Sequence, residues 1–99
     1  MSRISTNEFL AFVGTLGNQQ ISTRAGRAKF TVRLCDGGLE LTPLSSMKPR
    51  RHTHRYVVRV LDQFQQTGGS LENEDYKFTV NAPYMLALIE QYLEKGHVA

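Results

Sequence analysis

A chain of 99 residues is long enough for one compact domain but too short to build a second hydrophobic core. Its composition, 40% hydrophobic and 21% charged, excludes a largely disordered chain, and no apolar run is long enough to span a membrane. The net charge is only +3, which by itself identifies no partner.

The first predicted element is a helix over residues 6–16. Ser5 and Glu8 have the spacing of a capping box, in which each side chain accepts a hydrogen bond from a free amide at the helix start. The bulky apolar residues that follow recur on one helical face, and Gly17 is a left-handed stop signal. This helix is therefore expected to pack on the core.

A β-hairpin is predicted over residues 28–42. From residue 30 onward every second residue is apolar, which is the pattern of a half-buried strand. The turn signal at 36–38 leads into a second alternating run. One face of the hairpin should therefore be apolar, while the other carries Lys29 and Arg33.

The segment 44–53 is predicted to be a connecting loop with a dense basic head. Thr53 at its end is placed to cap a helix that runs to Gln66. An apolar stripe along that helix predicts one buried face, and the glycines after it predict its end.

The last third of the chain is predicted to contain an acidic turn, a short third strand and a final helix. Residues 71–75 are mostly acidic or polar, and alternation near 76–80 indicates the third strand. Asn81 is placed to cap a helix over 82–95 that is apolar on most sides. The predicted fold is thus a single α+β domain over 1–99, in which a small antiparallel sheet packs against about three helices.

The charge is unevenly distributed along the chain. Residues 24–59 hold nine basic and two acidic residues, a net charge of +7, whereas residues 60–99 hold two basic and six acidic residues, a net charge of −4. The mild average therefore conceals a basic middle and an acidic end, which includes the cluster 72–75.

The basic middle contains the candidate binding site. Its cations lead into a helix start, where free amides and the helix dipole already favour an anion such as phosphate. Arg51, Arg55 and Arg59 stand four residues apart, which predicts one exposed ridge. Arg24 and Arg27 join this surface if the hairpin packs beside the helix. The residues predicted to contact nucleic acid are Lys29, Arg33, Lys48, Arg50, Arg51, His52, Arg55 and Arg59.

Duplex DNA, contacted through its backbone, is the ligand that this pattern favours. Lysine and arginine bind phosphates and release counterions from them. The aromatic residues of the predicted strands lie on the apolar face, where they should belong to the core rather than stack on unpaired bases. The competing interpretation is an ordinary solvated surface, whose cations are neutralised by acids such as Asp36, Glu40 and Asp62.

Other function classes find little support. The connection between the last two helices is far longer than the turn of a helix-turn-helix motif. His52 and His54 are two residues apart and point in different directions on a helix start, so they form no metal-binding face. Asp75 and Lys77 match only part of the pattern of metal-dependent nucleases, and no nucleophile–base pair is evident. We expect a protein that is not an enzyme and that has neither a cofactor nor a metal site.

The alternative is a protein–protein interaction or self-assembling accessory protein without a nucleic-acid ligand. The nearly all-round apolar helix 82–95 would suit a homodimer interface, and oppositely charged segments would attract each other between copies. The single Cys35 is expected to be an inert buried residue, since it has no partner for an intramolecular disulfide. With no secretory signal pattern at the N-terminus, we expect a cytoplasmic protein that has no membrane partner.

Overall fold

Four antiparallel strands, each paired with its neighbour in sequence, form one layer of the fold, and three helices form the other. The computed structural model describes residues 4–17, 19–26 and 28–95. The strands are β1 (Ile21–Ser22), β2 (Lys29–Cys35), β3 (Gly38–Pro43) and β4 (Arg50–Thr53); the helices are α1 (Thr6–Gly14), α2 (His54–Gln66) and α3 (Ala82–Glu94), with a short 3-10 helix at Asn73–Tyr76. This is the α+β architecture that the sequence predicts.

The predicted hairpin over 28–42 is confirmed as β2 and β3. Val32 lies opposite Leu41 in the register, and both side chains are buried. Lys29 and Arg33, which alternate with the buried residues of β2, are exposed. Because side chains alternate between the two faces of a strand, the apolar face meets the helices and the face with the cations meets solvent.

A close backbone approach requires glycine at position 38. Gly38 has a φ of 151°. A Cβ atom there would lie 2.3 Å from the carbonyl oxygen of His52 and 2.8 Å from the backbone nitrogen of His54. The backbone N–H of His54 also donates to the carbonyl of Gly37 at 2.6 Å. The junction between β4 and α2 is therefore held directly against the hairpin turn.

The prediction of a loop over 44–53 is wrong for its last four residues, 50–53. They form β4, an edge strand in which Arg51 lies opposite Glu40 and His52 lies opposite Leu39. A strand of sequence Arg-Arg-His-Thr has no apolar alternation that would reveal it, and charged residues are a common protection for a sheet edge. The helix α2 follows at once, with Thr53 as its N-cap residue and Gln66 as its last residue, as predicted.

The prediction of a third strand near 76–80 is also wrong. That segment contains the end of the 3-10 helix, followed by turns. Tyr76 is fully buried, and its hydroxyl donates to the carbonyl of Ser70 at 2.7 Å. Phe78 packs against the same core, with its ring centroid 6.3 Å from that of Tyr76. The alternation therefore reflects two aromatic contacts within a turn. The sheet is completed instead by β4 and by β1, in which Ile21 pairs with Phe30.

The first helix is held at both of its predicted capping residues, although in different ways. Ser5 Oγ accepts from the backbone N–H of Glu8 at 3.4 Å, as the capping box predicts. The Glu8 carboxylate accepts a hydrogen bond from the hydroxyl of Tyr92 at 3.3 Å, which ties α1 to α3. The helix ends at Gly14, slightly before the predicted residue 16.

The apolar sequence of α3 is explained by burial within the same chain. This helix contacts α1, α2, β1 and the 3-10 helix. Its buried residues are Ala82, Met85, Leu86, Ala87, Leu88, Ile89 and Tyr92. No large apolar residue of the described α3 is exposed, so a homodimer through 82–95 stays a prediction without an exposed apolar face to support it.

Replacing Gly38 with alanine should destabilise the fold by at least about 2 kcal/mol, because the new Cβ would collide with the backbone of β4. Gly68→Ala is the matched control, since Gly68 has a φ of 73° and no atom lies within 4 Å of the point that an alanine Cβ would occupy there. That control should cost about 1 kcal/mol from its backbone conformation alone. Urea unfolding of both variants measures the difference, and equal losses would contradict the close approach at position 38.

Candidate nucleic-acid interface

The strand β4, the loop before it and the first half of α2 carry five exposed cations without an acidic partner. The ion pairs between described residues join Arg24 to Glu90 and Arg33 to Glu40. Within the segment 48–59, five cations have no described Asp or Glu oxygen within 4.0 Å: Lys48, Arg50, Arg51, Arg55 and Arg59. None of these five cations is therefore in an ion pair with a described carboxylate.

The outer sheet face, which is the face turned away from the helices, carries Lys29, Arg33, Glu40 and Arg51. Arg33 Nε donates to Glu40 Oε1 at 2.7 Å, and this hydrogen bond together with the carboxylate charge raises the pKa of Arg33. Arg51 lies opposite Glu40 in the register and donates from Nη2 to the sulfur of Cys35 at 3.7 Å. Glu40 thus lies between two arginines and offsets part of the positive charge of this face.

The opposite face of β4 and the adjoining surface of α2 place arginines beside aromatic rings. The guanidinium carbon of Arg50 lies 5.6 Å from the ring centroid of Tyr84, and that of Arg59 lies 4.2 Å from the ring centroid of Phe78. Both distances are within the range of a cation–π interaction. Tyr56, three residues before Arg59 on α2, is 38% exposed. We call these five residues the arginine–aromatic rim.

The rim forms because the segment 50–59 packs along the segment 78–84. Between the two arginine–ring contacts, the side-chain amide of Asn81 donates from Nδ2 to Nδ1 of His52 at 3.3 Å. Both of these side chains are buried. The contacts follow the two segments in opposite order, from Arg50 with Tyr84 to Arg59 with Phe78.

His52 is not on the surface, although the sequence suggests it as a binding residue. It is 2% exposed and lies on the inner face of β4, so it cannot reach a ligand outside. Burial lowers the pKa of His52, because a charged ring is costly in an apolar interior, and contact with the backbone of Tyr56 opposes this only in part. Nε2 of His52 and Oδ1 of Asn81 are also buried, and neither has a hydrogen-bond partner among the described residues. The buried His52 contributes to the rim indirectly, because its contact with Asn81 joins the two segments that carry the rim residues.

The predicted arginine ridge is divided between two elements. Arg55 and Arg59 keep their helical spacing, because both belong to α2. Arg51 belongs to β4 and lies on the outer sheet face, where helical spacing does not apply. Lys48 lies in the loop before β4, so β4 separates it from the helix start that it was expected to adjoin.

Of the two cations that join this surface only if the hairpin packs beside the helix, Arg24 is paired elsewhere. Arg24 donates to Glu90 Oε2 at 3.4 Å and to the carbonyl of Leu71 at 2.9 Å. These two bonds hold the side chain of Arg24 against α3, to which Glu90 belongs, and against Leu71. Arg27 lies outside the described residues.

The acidic segment 72–75 makes hydrogen bonds within its own turn. Asp75 accepts from the hydroxyl of Ser70, whose oxygen also accepts from the backbone N–H of Glu72. A search of the described residues finds no group of three or more side chains that could hold a metal ion. Among the same residues, no helix is both long and apolar enough to cross a membrane.

Comparisons with protein-family models, curated proteins and solved structures find no match for this chain. Sequence reasoning missed three residues of the arginine–aromatic rim: Tyr56, Phe78 and Tyr84. The apolar stripe of α2 predicts that Tyr56 is buried, whereas it is exposed. The patterns around Phe78 and Tyr84 indicate a strand and a core helix. Their partners lie far away in sequence, and no local pattern indicates which arginine a ring will contact.

Acidification should destabilise the protein through His52. The unfolded chain binds a proton near pH 6.5, whereas the folded chain binds it only at lower pH, so this contribution to stability is complete above about pH 6.5 and is lost as the pH falls below it. Urea unfolding between about pH 7.5 and 5 measures the loss, and His52→Gln should make it smaller. The exposed His54 supplies the control, His54→Gln, which should retain the wild-type loss; equal behaviour of the two variants would contradict this role of His52.

Proposed function

We propose that the protein is a non-catalytic nucleic-acid-binding protein that contacts phosphates through the basic segment 48–59, with the backbone of duplex DNA as the simplest ligand. The observation that supports this proposal is the concentration of five exposed cations without a close carboxylate in one continuous segment. Cations that are free of acidic partners can exchange water for phosphate without first breaking an ion pair.

The outer sheet face supplies further groups that suit phosphate contact. Lys29 lies on this face, and Thr31 and Thr42 pair with each other between Lys29 and the Arg33–Glu40 pair. Threonine hydroxyls donate hydrogen bonds to phosphate oxygens in protein–DNA interfaces. Because such contacts carry no base information, the binding that we propose through this face does not depend on the nucleotide sequence.

A protein–protein interaction role remains the alternative, with oppositely charged segments meeting between copies. The segment 72–75 exposes Glu72 and Glu74, whose charge is opposite to that of segment 48–59. The apolar residues of α3 lie within the core, so this alternative now depends on charge alone. Nucleic acid is the better candidate because its closely spaced phosphates match several cations at once.

Removing two cations from the segment 48–59 should weaken binding to duplex DNA more than removing two cations elsewhere. The variant Arg51→Ala/Arg55→Ala removes two exposed arginines that are in no ion pair with a described carboxylate. Fluorescence anisotropy on a random duplex, titrated with salt from about 50 to 200 mM, should show a slope of log affinity against log salt that is smaller by about 2. Affinity near 50 mM salt should fall about tenfold.

The control variant Lys77→Ala/Lys95→Ala has the same net charge and leaves segment 48–59 intact. It should bind within about twofold of the wild type, because only the whole-surface field changes. Equal losses in the two double variants would contradict a localised site. If the wild type binds neither duplex nor single strands at low salt, the proposed function is wrong.

A further inference from the structure

We infer that the arginine–aromatic rim binds the unpaired bases of a single-stranded nucleic acid, so that a single strand is a better ligand than a duplex. This inference rests on the proposed function and adds the strand state of the ligand. It differs from the expectation of duplex DNA because Tyr56 is exposed, and because Phe78 and Tyr84 pack against the core but are only partly buried.

The unpaired cations do not form one continuous patch that would match the side of a duplex. Arg50 and Arg51 are neighbours in β4, so their side chains leave the strand on opposite faces. Arg51 belongs to the outer sheet face, where Glu40 offsets part of the charge. Arg50 belongs to the rim together with Arg59, and neither of these two arginines has a described carboxylate within 4.0 Å. The rim thus carries two arginines that are free of ion pairs with described carboxylates.

The arginines of the rim are positioned by rings and not by carboxylates. Arg59 lies 4.2 Å from the centroid of Phe78, and Arg50 lies 5.6 Å from that of Tyr84. A guanidinium group held in this way keeps its full charge and its donor edges. Bases that are free of a duplex stack on aromatic rings and on arginine planes, while the same cations bind the adjacent phosphates.

Two apolar side chains on and beside the rim are better suited to bases than to a duplex backbone. Val80 lies in the segment between Phe78 and Tyr84 and is 82% exposed. Tyr56 is 38% exposed, and its ring centroid lies 6.0 Å from that of the buried His52. Phosphates and sugars on the outside of a duplex have no flat apolar face to cover these groups, whereas an unpaired base has one on each side.

The inference is tested by substitutions that keep the charge and remove the planar group. The variant Arg50→Lys/Arg59→Lys retains both positive charges but loses the guanidinium planes. Its control is Arg51→Lys/Arg55→Lys, which makes the same change off the rim. The probes are an oligothymidylate of about 15 nucleotides and a mixed-sequence duplex of the same length, each measured by fluorescence anisotropy. Thermal unfolding of all variants verifies that they are folded.

We expect the wild type to bind the oligothymidylate at least about fivefold more tightly than the duplex. The variant Arg50→Lys/Arg59→Lys should lose at least about fivefold of its affinity for the single strand, and its control less than about twofold. Equal losses in the two lysine variants, or binding of the duplex that is as tight as that of the strand, would overturn the inference while leaving the proposed function in place. Absence of binding to both probes overturns both.

Tyr56 provides a second variant that does not depend on the arginines. Its ring is partly exposed, so Tyr56→Leu should remove a stacking surface with little change in the core. The chain has no tryptophan and four tyrosines, of which Tyr56 and Tyr84 belong to the rim, so bases that approach the rim should quench part of the tyrosine emission. We expect the strand to quench this emission in the wild type and to quench it less in Tyr56→Leu. Unchanged quenching and affinity in Tyr56→Leu would contradict a contribution of this ring and, with it, base stacking at the rim.

Discussion

The packing of the segment 50–59 along the segment 78–84 is the constraint on which the surface chemistry of this protein depends. At its centre, the buried side chains of His52 and Asn81 share a hydrogen bond between parts of the chain that are distant in sequence. Burial lowers the pKa of His52, which favours the neutral ring. Beside this polar contact, the same packing sets Arg50 against one ring and Arg59 against another. A structural histidine thus supports two arginines that are available to a ligand.

The location of acids, more than the number of cations, distinguishes the two basic surfaces of the molecule. On the outer sheet face, Glu40 accepts a hydrogen bond from Arg33 and lies opposite Arg51, so that part of the charge is neutralised. On the rim, the arginines contact aromatic rings, whereas on the outer sheet face Arg33 contacts a carboxylate. Cation–π contact positions a guanidinium without cancelling its charge. The net charge of +3 for the whole chain therefore does not reveal that the two arginines of the rim lack an ion pair with a described carboxylate.

The parts of the fold that follow from local patterns were predictable, and the parts that depend on distant contacts were not. Alternation and a turn signal located the hairpin, and helical periodicity located all three helices, including Thr53 and Gln66 at the limits of α2. The strand β4 was missed because it is charged and short, and its existence depends on pairing with β3. For the same reason His52 was assigned to the surface: only the strand geometry shows that it faces inward. No local sequence pattern indicates that Phe78 and Tyr84 lie beside arginines, because those arginines are distant in sequence.

The most direct test of this account is an NMR titration of the labelled protein with an oligothymidylate of about 15 nucleotides, followed through the backbone amides. The account predicts that the largest shifts occur in the segments 50–59 and 78–84, which are adjacent in the fold and distant in sequence. The amides of α1, on another part of the molecule, should change little. Shifts that are confined to the outer sheet face or to the acidic segment 72–75 would contradict the claim that the arginine–aromatic rim is the binding surface.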